Sequence, residues 1–426
     1  MIVMTSSSDP LKTISSLYRG PGGAAAIIRN GQLLTQHVWG YADLDRRIPM
    51  TSTTHFPICS ISKQMLCLVI ASLEQTPTPS MAQSPRSSTA SLDEQLTNEL
   101  HRLLPNLPIH KDSELTVHHL ANMQSGLRDY WAMTVLWGAK PDDPFSLAHD
   151  APHALELTKS YHFEPGTEMS YSNINFHILA RAVENVAGQS LGQLLAERVF
   201  KPAGMKTAAL APNTAAPPLP IVGYEGSEKT GFQPAVNRIE WAGDAGVVAS
   251  LEDMISYEIW LEATYAEEGS LYNAIAAPQK YKDGKPAAYG HGLVHMKLAG
   301  KDTIGHSGGL RGFRLQRLHV PEEHLSVVVL YVPLFPQPHH HNSNPLTTHP
   351  QIQPRKPRRR SSRKHPQTPL PLPHFLTLHP PNQTRHRMER QLPRPDNPTP
   401  PPSRRYRHQR TIHLYRRRAC EDAADE

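Results

Sequence analysis

Apolar and polar residues follow two different periods along the first 333 residues of the chain. Near both ends they form strand-length runs, and one pair of runs flanks Asn30-Gly31, a dipeptide that favours the tight turn of a β-hairpin. Late in the region, the stretches KDTIGHSGG, GFRLQRLHV and LSVVVLYV follow one another across a glycine-rich turn and a Pro-Glu-Glu turn. The pattern predicts an N-terminal hairpin and three successive C-terminal strands.

Between these strands the period becomes helical. From Ser60 to about Gln75 the apolar residues recur on one helix face, at Leu66, Val69, Ile70 and Leu73. The run YSNINFHILARAVENVAG is also helical and stops at Gly188, where a glycine is typical of a helix C-terminus. Two pairs have the spacing of a capping box and mark further helix starts, Ser190 with Gln193 and Ser250 with Asp253.

Strands at both ends with a helical middle region predict the α+β class. In this arrangement the N- and C-terminal strands share one antiparallel sheet, and the helices pack beside it to form a sandwich. Residues 1–333 are numerous enough to bury such a core as one domain.

Two segments show neither period. Residues 76–91 consist largely of Pro, Ser and Thr, which predicts a low-complexity insertion that forms an exposed or flexible loop. Residues 334–426 are rich in Pro, His and Arg and hold few residues able to form a core, so we expect a disordered tail. The abrupt change near Pro333 favours a reading-frame or gene-model error as the origin of this tail.

The net charge differs between the two parts of the chain. Residues 334–426 carry 18 Lys and Arg against 6 Asp and Glu, a net charge of +12, so the whole-chain charge of +6 leaves −6 for residues 1–333. The stretch RKPRRRSSRK has the composition of a nuclear-localisation or nucleic-acid patch, but basic Pro-rich runs match such motifs permissively. We therefore do not expect a nucleic-acid partner.

Three features bear on the compartment. The three cysteines, Cys59, Cys67 and Cys420, cannot build a disulfide framework, which favours a reducing environment. The start of the chain lacks a basic segment followed by an apolar one, so no secretory signal is expected. The longest apolar runs have strand length and are too short to span a membrane. We expect a cytoplasmic protein without a membrane partner.

The candidate chemistry begins at Ser60 and Lys63, which are three residues apart and so share one face of the predicted helix. A serine hydroxyl becomes a good nucleophile when a base takes its proton, and a lysine can do this when its surroundings favour the neutral amine. The N–H groups at the helix start also suit a developing oxyanion. Alone, however, the pair is more typical of an ordinary capped helix.

Two further motifs follow in order. Tyr171 and Asn173 form a Y-x-N motif after a Phe-Glu-Pro-Gly turn, and His306 with Gly308 forms an H-x-G motif at the end of a predicted strand. Each motif also has a purely structural interpretation: a buried aromatic residue, a helix N-cap, and a turn whose glycines adopt positive φ. The three motifs together, in this order, favour a catalytic constellation.

The order S-x-x-K, Y-x-N, H-x-G resembles the serine penicillin-recognising hydrolases, which comprise class C β-lactamases, DD-peptidases, related esterases and D-aminopeptidases. The stretches HVWGYADLDRRIPMT, NMQSGLRDYWA and GFQPAVNRIEWAGDAG, together with His306 where β-lactamases usually have lysine, are most similar to the D-aminopeptidase branch. The resemblance runs from about residue 20 to about residue 332. It implies the sandwich fold of β-lactamases and DD-peptidases, residues 1–333 as the catalytic domain, and no metal or other cofactor.

The resemblance also implies a role for each motif residue. Ser60 would attack a carbonyl carbon and form an acyl-enzyme, while Lys63 and Tyr171 together would act as the base, with Tyr171 then serving as the acid. Asn173 would position Lys63 and the substrate amide. His306 would supply a polar, partly positive wall facing the substrate. The implied oxyanion and substrate-binding positions are Ser60, Gly308 and Gly309.

The implied activity is that of a serine aminopeptidase that releases N-terminal D-residues, such as D-alanine, from short peptides or amides. The D-aminopeptidases of this family carry two further β domains and a helix over the catalytic sheet, and nothing after Pro333 resembles either. One alternative is therefore a related hydrolase acting on esters, β-lactams or DD-peptides. The other is an inactive truncated product or an interaction protein. A homodimer is also implied by the resemblance.

Overall fold

The computed structural model describes residues 10–18, 20–83, 90–108, 114–140, 142–265 and 267–333. The expectations for residues 334–426 and for the centre of the predicted insertion, residues 84–89, lie outside this part of the chain. Within the part that is described, no helix combines the length and the apolar character needed to cross a lipid bilayer.

Strands and helices divide the described chain into an N-terminal β region, a helical middle and a C-terminal β region. In chain order, the strands are β1 (Gly22–Arg29), β2 (Gln32–Asp43), β3 (Ile48–Pro49), β4 (Phe56–Pro57), β5 (Ala209–Leu210), β6 (Tyr224–Ser227), β7 (Gly231–Pro234), β8 (Val247–Ala249), β9 (Gln279–Lys280), β10 (Pro286–Ala287), β11 (Tyr289–Gly290), β12 (Leu293–Leu298), β13 (Lys301–Leu310), β14 (Phe313–Val320) and β15 (Leu325–Val332). The helices are α1 (Ile14–Leu17), α2 (Ser62–Gln75), α3 (Pro79–Gln83), α4 (Leu92–Leu103), α5 (Val117–Ala121), α6 (Tyr130–Leu136), α7 (Asp150–Glu156), α8 (Asn173–Ala187), α9 (Leu191–Leu195), α10 (Leu251–Tyr265) and α11 (Leu271–Ala276). Single turns of 3-10 helix occur at Pro10–Thr13, Cys59–Ile61 and Pro321–Glu323, and a π-helical turn at Ala196–Phe200.

An antiparallel sheet of eight strands forms the centre of the fold, in the order β11-β12-β13-β14-β15-β1-β2-β3. The N-terminal strand β1 pairs along its whole length with the C-terminal strand β15, from Gly22 opposite Val332 to Arg29 opposite Leu325. Strands from the two ends of the described chain thus share one sheet, which confirms the predicted α+β class. The three predicted C-terminal strands are β13, β14 and β15.

The turn between β1 and β2 is the predicted hairpin. Asn30 and Gly31 have φ values of 51° and 68°, the positive values that a two-residue type I′ turn requires at both central positions. Arg29 and Gln32 pair on either side of the turn. Asparagine and glycine are the residues that adopt this conformation at least cost, so the dipeptide sets the register of the hairpin.

The predicted helix boundaries also agree with the structure. Gly188 follows α8 in the left-handed conformation, with φ 65°. The hydroxyl of Ser190 accepts a hydrogen bond from the N–H of Gln193 before α9, and the hydroxyl of Ser250 accepts one from the N–H of Asp253 before α10. These capping boxes satisfy N–H groups that a helix start otherwise leaves unpaired.

The predicted exposed loop at 76–91 differs from the structure in its first part. Residues Pro79–Gln83 form helix α3, and both Thr78 and Met81 are buried. The hydroxyl of Thr78 donates to the carbonyl oxygen of Ala187 at the end of α8 (2.8 Å). The expectation of a loop is therefore wrong for Pro79–Gln83, whereas Thr76, Pro77, Pro79 and Ser80 are exposed as expected. One methionine and one buried hydrogen bond attach this Pro- and Ser-rich segment to the core.

Helix α10 packs against one face of the sheet through a buried ion pair. The guanidinium of Arg317 on β14 donates to both carboxylate oxygens of Glu258, at 2.7 and 2.9 Å, and both side chains are fully buried. The hydroxyl of Tyr272 on α11 accepts a third hydrogen bond from Arg317 (2.8 Å). This bidentate geometry compensates the desolvation of two charges and fixes α10 and α11 against the sheet.

Candidate active site

Ser60 lies in the 3-10 turn Cys59–Ile61 that leads into α2. The chain enters this turn from β4, where the N–H of Ile58 donates to the carbonyl oxygen of Val247 (2.9 Å). Cys59 then adopts a left-handed conformation with φ 53°, which is uncommon for any residue with a Cβ atom. This turn places Ser60, partly exposed, directly before a helix whose side chains are buried on nearly all sides.

The side chain of Lys63 is fully buried, and three acceptors surround its amino group. Nζ donates to Ser60 Oγ at 3.0 Å, to Asn173 Oδ1 at 2.9 Å and to the carbonyl oxygen of Asp244 at 2.5 Å. The ring of Tyr171 lies beside the same group, with Nζ 5.1 Å from its centroid. The structure thus brings the S-x-x-K and Y-x-N motifs together around one buried amino group.

Asn173 is held by Asp129, the N-cap residue of α6. Both the main-chain N–H and the side-chain Nδ2 of Asn173 donate to Asp129 Oδ2, at 2.9 and 2.8 Å. The other carboxylate oxygen, Oδ1, accepts the N–H of Trp131 at 2.7 Å. Burial raises the pKa of Asp129, and the hydrogen bonds from Asn173 and Trp131 partly offset that rise.

A second carboxylate near Lys63, that of Asp244, is buried. The carboxylate oxygen Oδ2 of Asp244 accepts a hydrogen bond from the hydroxyl of Tyr130 at 2.5 Å. Burial raises the pKa of Asp244, and the nearby charge of Lys63 and the Tyr130 hydrogen bond act in the opposite direction. Lys63 therefore lies near the carboxyl groups of Asp129 and Asp244, and its amino group bonds to neither carboxyl group.

Three rings form the wall next to the lysine. The centroids of Tyr171, Tyr289 and His306 are 5.6 to 5.9 Å apart, mostly with edge-to-face geometry. Within the described residues, no hydrogen bond joins the Tyr171 hydroxyl to Ser60 or Lys63. The proton-shuttle role of Tyr171 therefore remains a prediction that rests on the position of its ring.

His306 is buried and neutral, which corrects the expected partly positive wall. Its exposed fraction is 4%, and burial together with the positive charge of Lys63 lowers its pKa to about 3. Nδ1 lies 2.6 Å from the carbonyl oxygen of Ser307, and Nε2 lies 3.1 Å from the hydroxyl of Tyr289. A ring that donates from Nδ1 and accepts at Nε2 satisfies both partners without a charge.

The two glycines after His306 lie at a free stretch of strand edge. Strand β12 pairs with β13 only as far as Gly305, so the edge beyond it faces the turn that carries Ser60. A Cβ atom on Gly308 would lie 2.5 Å from the carbonyl oxygen of Ile58, so only glycine fits at this position. Gly309 is exposed, and the nearest atom to a Cβ there, on Arg314, would be at 3.7 Å.

Sequence reasoning identified the motif residues but missed the groups that hold them. Asp129, Asp244, Tyr130 and Tyr289 have no place in the three motifs, yet each bonds to a motif residue or to a neighbour of one. Asp129 carries one local signal, because an aspartate before a helix start is typical of an N-cap. No sequence pattern signals the hydrogen bond between Asn173 and Asp129 or the one from Lys63 to the main-chain oxygen of Asp244.

Comparison with known proteins agrees with the fold. A family model described as beta-lactamase matches residues 12–342. A D-aminopeptidase of Cereibacter sphaeroides is 45% identical over 321 residues, which are 75% of this chain and 58% of that protein. A D-aminopeptidase of Brucella canis is 46% identical over 314 residues, 74% of this chain and 57% of that protein. The chain thus spans less than two thirds of the length of these relatives.

Solved structures share the fold at low identity. The octameric penicillin-binding protein homologue from Pyrococcus abyssi has a TM-score of 0.60 and 21% identity, covering 76% of this chain and 72% of that one. The D-amino acid amidase from Ochrobactrum anthropi SV3, complexed with L-phenylalanine, has a TM-score of 0.57 and 20% identity, covering 74% of this chain and 87% of that one.

Proposed function

The chain belongs to the beta-lactamase family, and from this premise we propose that it is a serine hydrolase that forms an acyl-enzyme on Ser60. The proposed substrate is a short peptide or an amide with a free N-terminal D-residue, whose carbonyl carbon Ser60 attacks. The observation that carries the proposal is the arrangement of acceptors around Lys63, because it selects the partner with which the lysine exchanges a proton.

The three acceptors of Lys63 are not equivalent. The amide oxygen of Asn173 and the main-chain oxygen of Asp244 carry no hydrogen and can only accept hydrogen bonds. A neutral Lys63 uses its two N–H groups for these oxygens, so its lone pair points to the third partner, Ser60 Oγ, 3.0 Å away. The hydroxyl proton of Ser60 then passes to Nζ while Oγ forms the bond to the carbonyl carbon.

The negative charge that develops on the substrate oxygen needs donors. We assign this role to the main-chain N–H groups of Ser60 and Gly309, and the close packing of Gly308 on Ile58 supports it because it fixes the strand edge against the serine turn. When the tetrahedral intermediate collapses and its C–N bond breaks, Tyr171, whose ring contacts Lys63, would pass its proton to the leaving amine and take up the proton that Lys63 received from Ser60. A water molecule then hydrolyses the acyl-enzyme and regenerates Ser60.

The preference for D-residues rests on the relatives. Proteins named D-aminopeptidase are 45 to 46% identical to this chain over 314 to 321 residues, and the structural neighbours include a D-amino acid amidase. Their remaining length has no counterpart in the match, so their full activity enters here as a proposal.

Replacement of the serine tests the function. Wild-type protein incubated with D-alanine p-nitroanilide is expected to release p-nitroaniline, and an activated D-alanine ester should add an acyl group to Ser60 that intact-mass spectrometry detects. Ser60→Ala should lose both signals. The matched control is Ser62→Ala, which removes a buried hydroxyl in the same helix turn that accepts the N–H of Val247. Turnover that survives in Ser60→Ala would sink the mechanism.

A second candidate keeps the chemistry and changes the substrate. The chain matches only 58% of the length of its relatives, and residues that restrict their substrates can lie in the unmatched part. A site without that restriction would accept esters, β-lactams or DD-peptides as larger acyl donors. Parallel rates with D-alanine p-nitroanilide, the L enantiomer, short-chain p-nitrophenyl esters and nitrocefin distinguish the candidates. A folded protein that none of these reagents acylates would instead be an inactive or interaction protein.

We also propose a cytoplasmic location and a homodimer. The buried free thiols of Cys59 and Cys67 support a reducing compartment, and fractionation of cells expressing the full chain tests the location. One structural neighbour is described as octameric, so size-exclusion chromatography with light scattering should distinguish a dimer from larger assemblies and from a monomer.

A further inference from the structure

The carboxylate of Asp129 makes three hydrogen bonds that divide unequally between its two oxygens. Oδ1 accepts the N–H of Trp131 and so caps α6. Oδ2 accepts two N–H groups from a single residue, the main-chain N–H and the side-chain Nδ2 of Asn173. Three N–H donors suit the ionised carboxylate, since a protonated carboxyl would place a donor opposite one of them.

The double contact at Oδ2 determines which way the amide of Asn173 faces. In the observed orientation Nδ2 points to Asp129 and Oδ1 points to Lys63 Nζ, at 2.8 and 2.9 Å. A flipped amide would place its oxygen against the carboxylate and its N–H groups against the amino group of the lysine. Both contacts would then be repulsive, so the flip is strongly disfavoured while Asp129 is ionised.

We propose that Asp129 is a positioning residue of the active site, which acts through Asn173 by fixing the amide orientation that Lys63 requires. The inference rests on the proposed function in one respect: it takes Lys63 as the group that exchanges a proton with Ser60. If the amide flipped, Lys63 would lose one of the two oxygens that orient its lone pair toward Ser60, and the direction of proton transfer would no longer be defined.

Other charged and titratable groups also face Lys63. The carboxylate of Asp244 bonds to Tyr130, Tyr171 contributes its ring, and His306 is neutral. None of these groups bonds to the Nδ2 atom of Asn173 within the described residues. Asp129 is therefore the group in this part of the structure that defines the amide orientation.

The variant Asp129→Asn tests the proposal because it keeps the size of the side chain. An asparagine offers one oxygen instead of two, so either the cap on Trp131 or the acceptor for Asn173 is lost. We expect kcat to fall by roughly 10- to 100-fold, as for other small displacements of reacting groups, with KM nearly unchanged.

The control is Asp253→Asn. The carboxylate of Asp253 likewise accepts several hydrogen bonds near a helix start, from Ser250 and Thr207, but neither partner contacts Lys63. This variant should lose stability while kcat stays at the wild-type value. Equal losses of kcat in Asp253→Asn and Asp129→Asn would reduce Asp129 to a structural cap and overturn the proposal.

A double-mutant cycle separates action through Asn173 from a direct effect. In an Asn173→Ala background the amide is absent, so adding Asp129→Asn should change the residual acylation rate less than about twofold, which is the signature of coupled residues. Additive losses in the double variant would contradict the proposal. The acylation rate is measured with an activated D-alanine ester so that slow variants remain measurable.

A spectroscopic measurement keeps the test independent of activity. In the wild type, the side-chain NH₂ signal of Asn173, assigned by its loss in Asn173→Asp, should be shifted downfield by the carboxylate acceptor and protected from exchange. Asp129→Asn should remove this shift, and Asp253→Asn should not. If the wild type fails to acylate Ser60, the proposed function fails, and this signal still decides whether Asp129 orients the amide.

Discussion

The main-chain carbonyl oxygen of Asp244 accepts a hydrogen bond from Lys63 Nζ at 2.5 Å, while the carboxylate of the same residue turns away to Tyr130. The backbone therefore supplies the contact to the lysine, and the side chain fixes the backbone. This division spares the lysine a direct ion pair, which would favour its charged form. An amino group that must become neutral in order to accept a proton benefits from neutral acceptors.

Replacing Lys63 by arginine should remove the chemistry while keeping a positive charge. A guanidinium stays protonated at any pH at which the protein is folded, so it cannot take the proton of Ser60. We expect kcat to fall by roughly 10² to 10⁴-fold, the range for loss of a general base. The burst of p-nitrophenol released from an activated ester measures the rate at which Ser60 is acylated. Lys297→Arg, at an exposed ion pair with Asp302, is the control, and equal rates for the two variants would contradict the assignment.

Gly308→Ala and Gly309→Ala form a matched pair one residue apart. The first places a Cβ atom 2.5 Å from the carbonyl oxygen of Ile58, whereas the nearest atom to the second is at 3.7 Å. Gly308→Ala should push the strand edge away from the serine turn and lower kcat by roughly 10²-fold, as misplacement by about 1 Å can do. The kcat of Gly309→Ala should stay within about threefold of the wild-type value, because small steric changes at open sites cost under about 1 kcal/mol. A reversed order of the two kcat values would contradict the packing argument.

The buried ion pair between Arg317 and Glu258 predicts a large loss of stability when one partner is removed. Arg317→Met leaves the carboxylate of Glu258 in the core without its bidentate partner, and such changes cost about 3–5 kcal/mol. Arg29→Met, at the exposed pair with Glu323, should cost less than about 1 kcal/mol. Urea unfolding followed by tryptophan fluorescence compares the two. Similar midpoints would mean that the buried pair contributes no more than a surface pair.

His177 predicts that the protein loses stability in acid. Burial lowers the pKa of His177 to about 3 in the folded protein, from 6.5. As the pH falls, His177 is therefore protonated in the unfolded chain before it is protonated in the folded protein. Its contribution to the free energy of unfolding is complete above pH 6.5 and is lost as the pH falls toward about 3. The slope is about 1.4 kcal/mol per pH unit for each such histidine.

Substitution of that histidine should make the pH dependence less steep. His177→Leu is expected to reduce the slope of the unfolding free energy between pH 6 and pH 4 by about 1.4 kcal/mol per pH unit. The exposed residue His149 supplies the control, and His149→Leu should leave the slope as in wild type. An unchanged slope in His177→Leu would mean that His177 is protonated in the folded state.

Removing residues 334–426 should preserve the fold and the site. Strand β15 ends at Val332, where it pairs with Gly22, so the eight-stranded sheet is complete within the described residues. The shortened chain is expected to unfold cooperatively and to be acylated at Ser60 as fast as the full chain. Loss of either property would assign the tail a role in folding. Sequencing the transcript across codons 325–345 tests the proposed reading-frame origin of the tail.

The sequence predicted those features that depend on local patterns. The hairpin at Asn30-Gly31, the end of α8 at Gly188 and the capping box at Ser190 each follow from the conformational preferences of a few neighbouring residues. The S-x-x-K pair is local too, since one helical turn brings Lys63 to Ser60. In these cases the chemistry of the side chains and the geometry of the backbone specify the same outcome.

The remaining features depend on burial and on distant contacts. His306 appeared as a polar wall with partial charge, because its identity says nothing about the Tyr289 hydroxyl and the buried surroundings that keep it neutral. In the sequence, Asp129 was only one residue of the stretch NMQSGLRDYWA that resembles the D-aminopeptidases. Its role could not be predicted because its partner Asn173 is remote in the chain. The segment around Met81 was predicted from composition alone, which cannot reveal that one apolar side chain finds a place in the core.

The pairing of β1 with β15 also determines when the protein can acquire its structure during synthesis. Gly22 emerges from the ribosome early, and its neighbour in the sheet, Val332, is added only after all other elements of the described chain. Contacts of such long range make folding slow and leave the unpaired edge of β1 open in the meantime. A nascent chain that already carries Ser60, Lys63 and Asn173 still lacks the strand that pairs with β1, so a ribosome stalled before Val332 would hold these three residues without a complete sheet.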